Sequence, residues 1–299
     1  MIGSGLLLID KPEGPSSAQV VHKVKVLLGA KKVGHLGTLD PFATGLLLLG
    51  INEGTKIAEL FIGAPKSYRG VMVLGVETDS QDATGTILRV RAVPTLGDAE
   101  LRDLEQHFSG DLQQVPPMFS ALKREGVPLY KLARQGKEVA REPRSIRVEK
   151  LNLNKLEGDE IGLELTCSRG TYIRTLAADI GKFLGCGAHL KSLRRIACGH
   201  LTLDRAVTLS QLEQLDSGVK APLLALEKAL DYLRGITCDN RLVSRLRLGQ
   251  QEILTQLGKP MAGEKLARIL DPRGDLVALV EWMEDLPPGR WRLIRVFQG

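Results

Sequence analysis

Aromatic residues are scarce: two Trp, four Tyr and six Phe make up 4% of 299 residues. The core therefore has to be built from Leu, Val, Ile and Ala. Cysteine is scarcer still, with four residues at 167, 186, 198 and 238. No pair has CxxC or metal-ligand spacing, which excludes a zinc ribbon and a disulfide framework. Each cysteine sits beside small or apolar residues and reads as buried and reduced, so a cytoplasmic setting is expected. The five histidines, at 22, 35, 107, 189 and 200, form no HxH or HxxxH pair, so no metal site is expected. Long apolar runs are missing as well. The densest, Leu46 to Ile51, is far too short to cross a bilayer. The N-terminus lacks a basic stretch followed by a long apolar one. Neither secretion nor membrane insertion is expected. Phosphate loops of the GxxxxGK[ST] or GxGxxG type are absent too, which speaks against nucleotide binding.

What is present is an ordinary soluble composition, 43% apolar and 25% charged, in a length that suits one large domain and one small one. Forty-one Lys and Arg against 35 Asp and Glu leave a net charge of +6. The excess is uneven. Lys123 to Lys150 holds nine basic and four acidic residues. Lys23 to Lys32 holds four basic residues and no acid, and His189 to Arg205 four basic and one acidic. Such clusters suit a polyanionic partner, chiefly through phosphate neutralisation, and equally a solvated basic surface.

Strands are expected at residues 5–10, 46–50, 68–77, 86–93, 145–156 and 160–167. A helix opens at Ser16 or Ser17 and ends at Gly29. Further helices are expected at 55–61, 98–108, 171–184 and 240–248. In the helix after Thr171, a plausible N-cap, Ile173, Leu176, Ala177, Ile180 and Leu184 form one apolar stripe. Residues 31–45 read as a loop, and 110–147, rich in Pro, Gly and basic residues, as a hairpin or protruding insertion. Strands and helices alternate without a strict βαβ repeat, so the fold class is α+β with a sheet of mixed direction. The pattern divides the chain into residues 1–234 and a small β-rich unit, 235–299.

Asp40 is the first candidate for chemistry. It closes Gly34-His35-Leu36-Gly37-Thr38-Leu39-Asp40-Pro41, a backbone that two glycines make pliable and open to close approach. An Asx-turn or a helix cap would account for the same residue. Arg174 lies in the first turn of its helix, where a cation opposes the helix dipole, and off the apolar stripe. It either faces water or serves an anion, and Asp40 is one such anion. Tyr68 is either a half-buried strand tyrosine or a platform on which a base stacks and a proton moves. His35 either stacks on a base or satisfies its own loop.

Five stretches turn these separate readings into a pattern: GLLLIDKPEGPSS from Gly5, VGHLGTLDPFATGLL from Val33, EGTKIAELF from Glu53 with KSYRG from Lys66, CSRGTYIRTLAADIG from Cys167, and LGCGAHLKSLRR from Leu184. In this order they resemble the tRNA pseudouridine synthases of the TruB family, over about residues 5–215. The resemblance implies a catalytic domain with a mixed central sheet, an inserted RNA-gripping segment, and a small PUA-like RNA-binding domain at the C-terminus. It implies isomerisation of uridine 55 in the tRNA T-loop to pseudouridine, with no metal, no cofactor and no protein partner. Asp40 matches the family's catalytic aspartate, Tyr68 its active-site tyrosine and Arg174 the arginine that pairs with the aspartate. His35 matches a histidine associated with base flipping, Leu193 an apolar residue near the target base, and Lys11 a lysine–proline motif that supports the cleft. Lys11 is expected to meet the RNA as well, together with Lys123 and Arg124, which open the basic stretch. The chain departs from the pattern at Leu36, where Thr is usual, and at Gly199-His200-Leu201, where a Gly-Pro-Phe-like turn is usual.

Two other kinds of function stay open at this point. One is an RNA-binding chaperone of tRNA folding. The other is a relative that works only through guide RNA and protein partners, which the lack of long basic tails disfavours. A monomer is the default.

Overall fold

The computed structural model describes residues 2–214, 221–284 and 289–298. Strand β1 (Gly5–Lys11) is apolar along nearly its whole length and buried on both faces. Helix α1 (Ser17–Leu28) follows, with Ser16 as its cap and Gly29 closing it in the left-handed region at φ 55°. The expected loop at 31–45 contains a short strand, β2 (Val33–His35), which pairs with β3 (Thr44–Ile51). Leu46 to Leu49 are completely buried, at roughly 1.5–3 kcal/mol of hydrophobic stabilisation per side chain.

A 3₁₀ turn leads into α2 (Ala58–Gly63) and β4 (Lys66–Leu74). The expected strand at 68–77 breaks at Gly75, whose φ of 80° interrupts the ladder. The chain then forms a separate hairpin, β5 (Val76–Thr78) and β6 (Ile87–Val90). Helix α3 (Asp98–His107) precedes β7 (Gly110–Gln114). Between β7 and β10 (Arg144–Lys155) lie a small hairpin, β8 (Lys123–Arg124) and β9 (Val127–Pro128), and a one-turn helix, α4 (Leu129–Ala133). Strands β7 and β10 pair as the edge of the large sheet. The protruding insertion is therefore shorter than expected, and its two ends belong to the core.

Strand β11 (Glu160–Cys167) leads to α5 (Ile173–Phe183). Thr171 does not cap this helix. Its hydroxyl donates to the Ser168 carbonyl, and Tyr172 holds the cap position without a side-chain bond. Strand β12 (Ala188–Cys198) is long and central, and the sequence pattern does not announce it. Short strands β13 (Leu201–Thr202) and β14 (Val207–Thr208) and helix α6 (Leu209–Glu213) complete this part.

These strands form one mixed sheet in the order β14-β1-β3-β12-β4-β11-β10-β7, with β2 attached to β3 and β13 to β12. The pairings β1–β14 and β3–β12 are parallel and the rest antiparallel. The β3–β12 joint couples the two halves of the sheet through Arg194 opposite Thr44 and Arg195 opposite Gly45. One face carries α1, α3 and α5 on a core of Val20, Leu47, Leu49, Met72, Leu165, Leu176 and Ile180.

The other face packs Leu6, Leu8, Leu46, Leu48 and Phe61 against the C-terminal part. Helix α7 (Leu226–Ala229) leads there. A four-stranded sheet follows: β15 (Arg234–Thr237), β16 (Leu266–Leu270), β17 (Leu276–Met283) and β18 (Arg290–Val296), in sequence order, with α8 (Asn240–Arg247) beside it. Its own core contains Val243, Leu246, Ile269, Val280 and Trp291, while Leu276, Leu279 and Phe297 join the cluster that covers β1 and β3. All four cysteines are buried and unpaired. Among the described residues, no helix is long and apolar enough to cross a membrane.

The β3–β12 joint depends on Gly45, which has φ 95°. A Cβ there would stand 2.3 Å from the Arg195 carbonyl oxygen and 2.9 Å from its nitrogen. Gly45→Ala is expected to lower stability by about 3 kcal/mol or more, from strain plus overlap. Denaturant titration checks it, and a loss under about 1 kcal/mol contradicts the role of this joint.

Candidate active site

Asp40 stands between β2 and β3, over the joint of the two half-sheets. Its backbone neighbours are pinned from several directions. The Ser17 hydroxyl bridges the carbonyl and the N–H of Leu39, each at 2.9 Å. The Pro41 carbonyl accepts from the Gly14 N–H at 2.9 Å and from Lys11 Nζ at 3.1 Å. The turn itself is closed by the Asp40 main-chain carbonyl, which accepts from the Ala43 N–H at 3.1 Å. The side chain, which an Asx-turn or cap would use locally, instead reaches across the fold.

That reach ends on Arg174. Its Nε donates to Asp40 Oδ2 at 2.8 Å. The remaining nitrogens donate to the Ser80 carbonyl at 2.8 Å and the Phe119 carbonyl at 2.9 Å. Asp82 Oδ2 lies 3.6 Å from Nε on the inner side. The Arg174 side chain is 4% exposed and that of Asp40 is 38% exposed. A buried fork thus orients a carboxylate that still meets solvent. The arginine in the first turn of α5 serves an anion and does not face water.

Asp82 is buried, and its Oδ1 accepts from the Ser80 hydroxyl and from the N–H and hydroxyl of Thr84. Gln114 orients the start of α5 from the neighbouring strand end. Its amide accepts from the Tyr172 N–H at 2.8 Å and donates to the Tyr172 carbonyl at 3.1 Å. Burial pushes the Tyr172 hydroxyl up, and the Asp40 charge acts in the same direction. It therefore belongs to the same pocket of charge.

Tyr68 lies on β4 opposite Arg195 on β12, and is 8% exposed. Burial pushes its phenol up to about 12, and the Arg195 guanidinium beside it acts in the opposite direction. His35 is half-buried on β2, with an Nδ1 that has no partner among the described residues. Burial first, and Arg195 second, push its imidazole below the ordinary value, so it is neutral at pH 7. Leu193 is buried on β12, two residues before Arg195, and its carbonyl accepts from Thr44 Oγ1 at 3.4 Å.

Three expected residues are not in this cluster as contact groups. Lys123 and Arg124 stand exposed on the β8–β9 hairpin, where Arg124 donates to the Ala140 carbonyl. Lys11 offers no surface to RNA: it is completely buried, and Nζ donates to the carbonyls of Pro12, Pro15 and Pro41 at 2.8, 2.9 and 3.1 Å. Its place is beneath the Asp40 loop, as a support. Sequence reasoning missed Asp82, Gln114, Tyr172 and Arg195. Tyr172 carried a signal two residues before Arg174 in CSRGTYIRTLAADIG, and Arg195 one as the last residue of LGCGAHLKSLRR, two after Leu193.

Burial pushes Lys11 down to about 8, against the pull of Asp40 and Glu13. The folded value lies below the ordinary one of 10.5, so between these values the unfolded chain binds more protons. Stability from this group is therefore expected to rise from pH 8 to 10.5. Lys11→Met removes that slope, leaves the Pro12 and Pro15 carbonyls without the ammonium donor and Pro41 with Gly14 alone, at a cost of about 2–4 kcal/mol. Urea midpoints of both proteins across this range check both statements.

A sequence profile of the TruB family pseudouridylate synthase N-terminal domain matches residues 25–173. A profile of the tRNA pseudouridylate synthase B C-terminal domain matches residues 174–231. The tRNA pseudouridine synthase B of Geobacter sulfurreducens is 42% identical over 305 residues, covering 98% of this chain and 99% of the relative. That of Stutzerimonas stutzeri is 42% identical, covering 98% and 96%. That of Bordetella avium is 48% identical, covering 75% and 92%. Among solved structures, a Cbf5-Nop10-Gar1 complex matches at TM-score 0.71 and 24% identity, covering 98% of this chain and 84% of that one. An H/ACA RNP bound to a substrate RNA containing 2'-deoxyuridine matches at TM-score 0.71 and 22% identity, covering 99% and 85%. These structures share the fold, and the sequence matches carry the assignment: the chain belongs to the TruB family of pseudouridylate synthases.

Proposed function

We propose that this enzyme isomerises uridine 55 in the T-loop of tRNA to pseudouridine, with Asp40 as the group that acts at the ribose. The observation that carries this reading is the half-exposed Asp40 carboxylate, held from behind by the buried Arg174 fork. The tRNA specificity rests on the named activity of the relatives.

The reaction breaks the N1–C1′ bond, turns the uracil and joins C5 to C1′. A proton leaves C5 and one is taken up at N1, so no electrons are exchanged and no redox cofactor is required. Bond cleavage places positive character on the sugar. A carboxylate under the ring stabilises that charge, and acts on C1′ as nucleophile or on a sugar proton as base. Tyr68 stacks on the base and relays the C5 proton. Its phenol, raised to about 12, holds its own proton at neutral pH, so it passes a proton on rather than starting as phenolate.

A base inside a folded T-loop has to be flipped out, at a cost of a few kcal/mol. Neutral His35 fills the vacated place in the stack, and Leu193 packs against the flipped base. The segment at residues 115–143 grips the RNA by shape and phosphate. Its root bears on the site directly, because Arg174 holds the Phe119 carbonyl. No metal and no protein partner is needed for these steps.

Asp40→Asn is expected to lower pseudouridine formation on a T-stem-loop RNA by on the order of a thousandfold or more, with binding within a few-fold. Base-resolution mapping of pseudouridine in treated tRNA, beside a binding titration, measures both. Turnover near wild type in this variant overturns the assignment. Replacing Lys123 and Arg124 together by Ala is expected to raise KM, leave kcat unchanged and reduce the salt slope of binding by about one to two. An unchanged salt slope removes these two residues from the RNA interface.

A further inference from the structure

Arg195 is 2% exposed and ranks among the largest fully buried side chains, yet none of the proposed chemistry uses it. Its guanidinium donates through Nε to the Leu46 carbonyl at 2.7 Å, through Nη1 to the Thr38 carbonyl at 3.3 Å and through Nη2 to the Gly37 carbonyl at 3.2 Å. Among the described residues it has no carboxylate partner. The neighbouring buried Arg174 has Asp40 and Asp82, and Arg194 has Asp10. A buried cation held only by neutral acceptors is an expensive way to fill space, and an apolar side chain of similar volume would cost less.

Its surroundings indicate what the expense secures. The backbone of Arg195 pairs with Tyr68 on β4 and with Gly45 on β3. Its fork reaches the two residues that lie three and two positions before Asp40. Gly37 has φ 129°, which leaves that stretch soft unless something outside it holds the carbonyls. Ser17, Gly14 and Lys11 hold only Leu39 and Pro41, the residues directly before and after the aspartate. Arg195 is the one side chain among the described hydrogen bonds that grips both Gly37 and Thr38. The same cation stands beside the Tyr68 hydroxyl and the His35 ring, and both feel its charge.

We infer that Arg195 is a positioning residue, which locks the Gly37–Thr38 half of the Asp40 loop to β4 and β12 and so sets where Asp40 stands relative to Tyr68. This deepens the proposed function and rests on it for its kinetic consequence. The geometric consequence is independent of the substrate. A lysine at 195 keeps a positive charge and reaches one carbonyl, but its single nitrogen cannot span Leu46, Thr38 and Gly37 as the planar fork does.

The test compares Arg195→Lys and Arg195→Met with the wild type in the full-length protein. Amide hydrogen exchange of residues 36–40 is expected to rise tenfold or more in Arg195→Lys, with exchange in β3 and β4 unchanged. With a T-stem-loop RNA, kcat is expected to fall by about tenfold to a hundredfold at a KM within threefold, the split expected of misplaced groups rather than lost binding. Adding Tyr68→Phe to Arg195→Lys is expected to cost less than the two single effects combined. Unchanged exchange at 36–40, a kcat within twofold of wild type in Arg195→Lys, or loss of the fold in both variants overturns the inference. A wild-type protein inactive on the T-stem-loop sinks the proposed function instead, and the exchange measurement then decides the positioning role by itself.

Discussion

The Arg174 guanidinium is the interaction on which the active-site half of the molecule converges. A cation this deeply buried has to be surrounded by acceptors, since an unpaired one would cost several kcal/mol. The acceptors come from places far apart in the chain: Asp40 from the loop before β3, Ser80 and Asp82 from the β5–β6 turn, and Phe119 from the segment beyond β7. Satisfying one side chain therefore ties three pieces of backbone to α5. The carboxylate that results is directed by its partner yet open to solvent.

The sheet supplies the base for that arrangement. Its two halves meet at the short parallel contact of β3 and β12, and this is also where the Asp40 loop crosses. The contact is close because Gly45 has no Cβ, and it is fastened by Arg195. Beneath the loop lies a second layer of support, the buried Lys11 ammonium, the Ser17 hydroxyl and the Gly14 N–H. The other face of β1 and β3 carries Leu6, Leu8, Leu46 and Leu48 against the C-terminal sheet. The β3 strand thus links the site to the appended β-rich part through its two buried faces.

The regular elements were largely legible because their apolar spacing is clean. Strand 160–167 and the α5 stripe read directly from alternation and helical periodicity. Strand β12 did not. Its sequence, AHLKSLRRIAC, is crowded with basic residues, and its register slips between Leu190 and Ser192 and again between Arg195 and Ala197. Each bulge resets which residues face inward, so the period of two is lost and a buried arginine looks like a surface one. Asp82 was illegible for a related reason: its turn is polar throughout, and nothing local distinguishes the carboxylate that turns inward.

Asp40, Tyr68 and Arg174 were all found as candidates from the chain alone, through the glycine-rich loop, the misplaced helix-start cation and the ordered resemblance to one family. Family and fold class were likewise written in motif and pattern, because those depend on residue types at short spacing, while the basic clusters suited a polyanion and a solvated surface equally. The tertiary structure decided which residues serve them. It moved Lys11 from the RNA to the foundation of the loop, placed Arg195 at the joint of the sheet, and recruited Asp82, Gln114 and Tyr172. Those assignments depend on burial and on partners tens to more than a hundred residues away. A charge becomes a support or a catalyst only when the fold has determined what water leaves it and which acceptor remains.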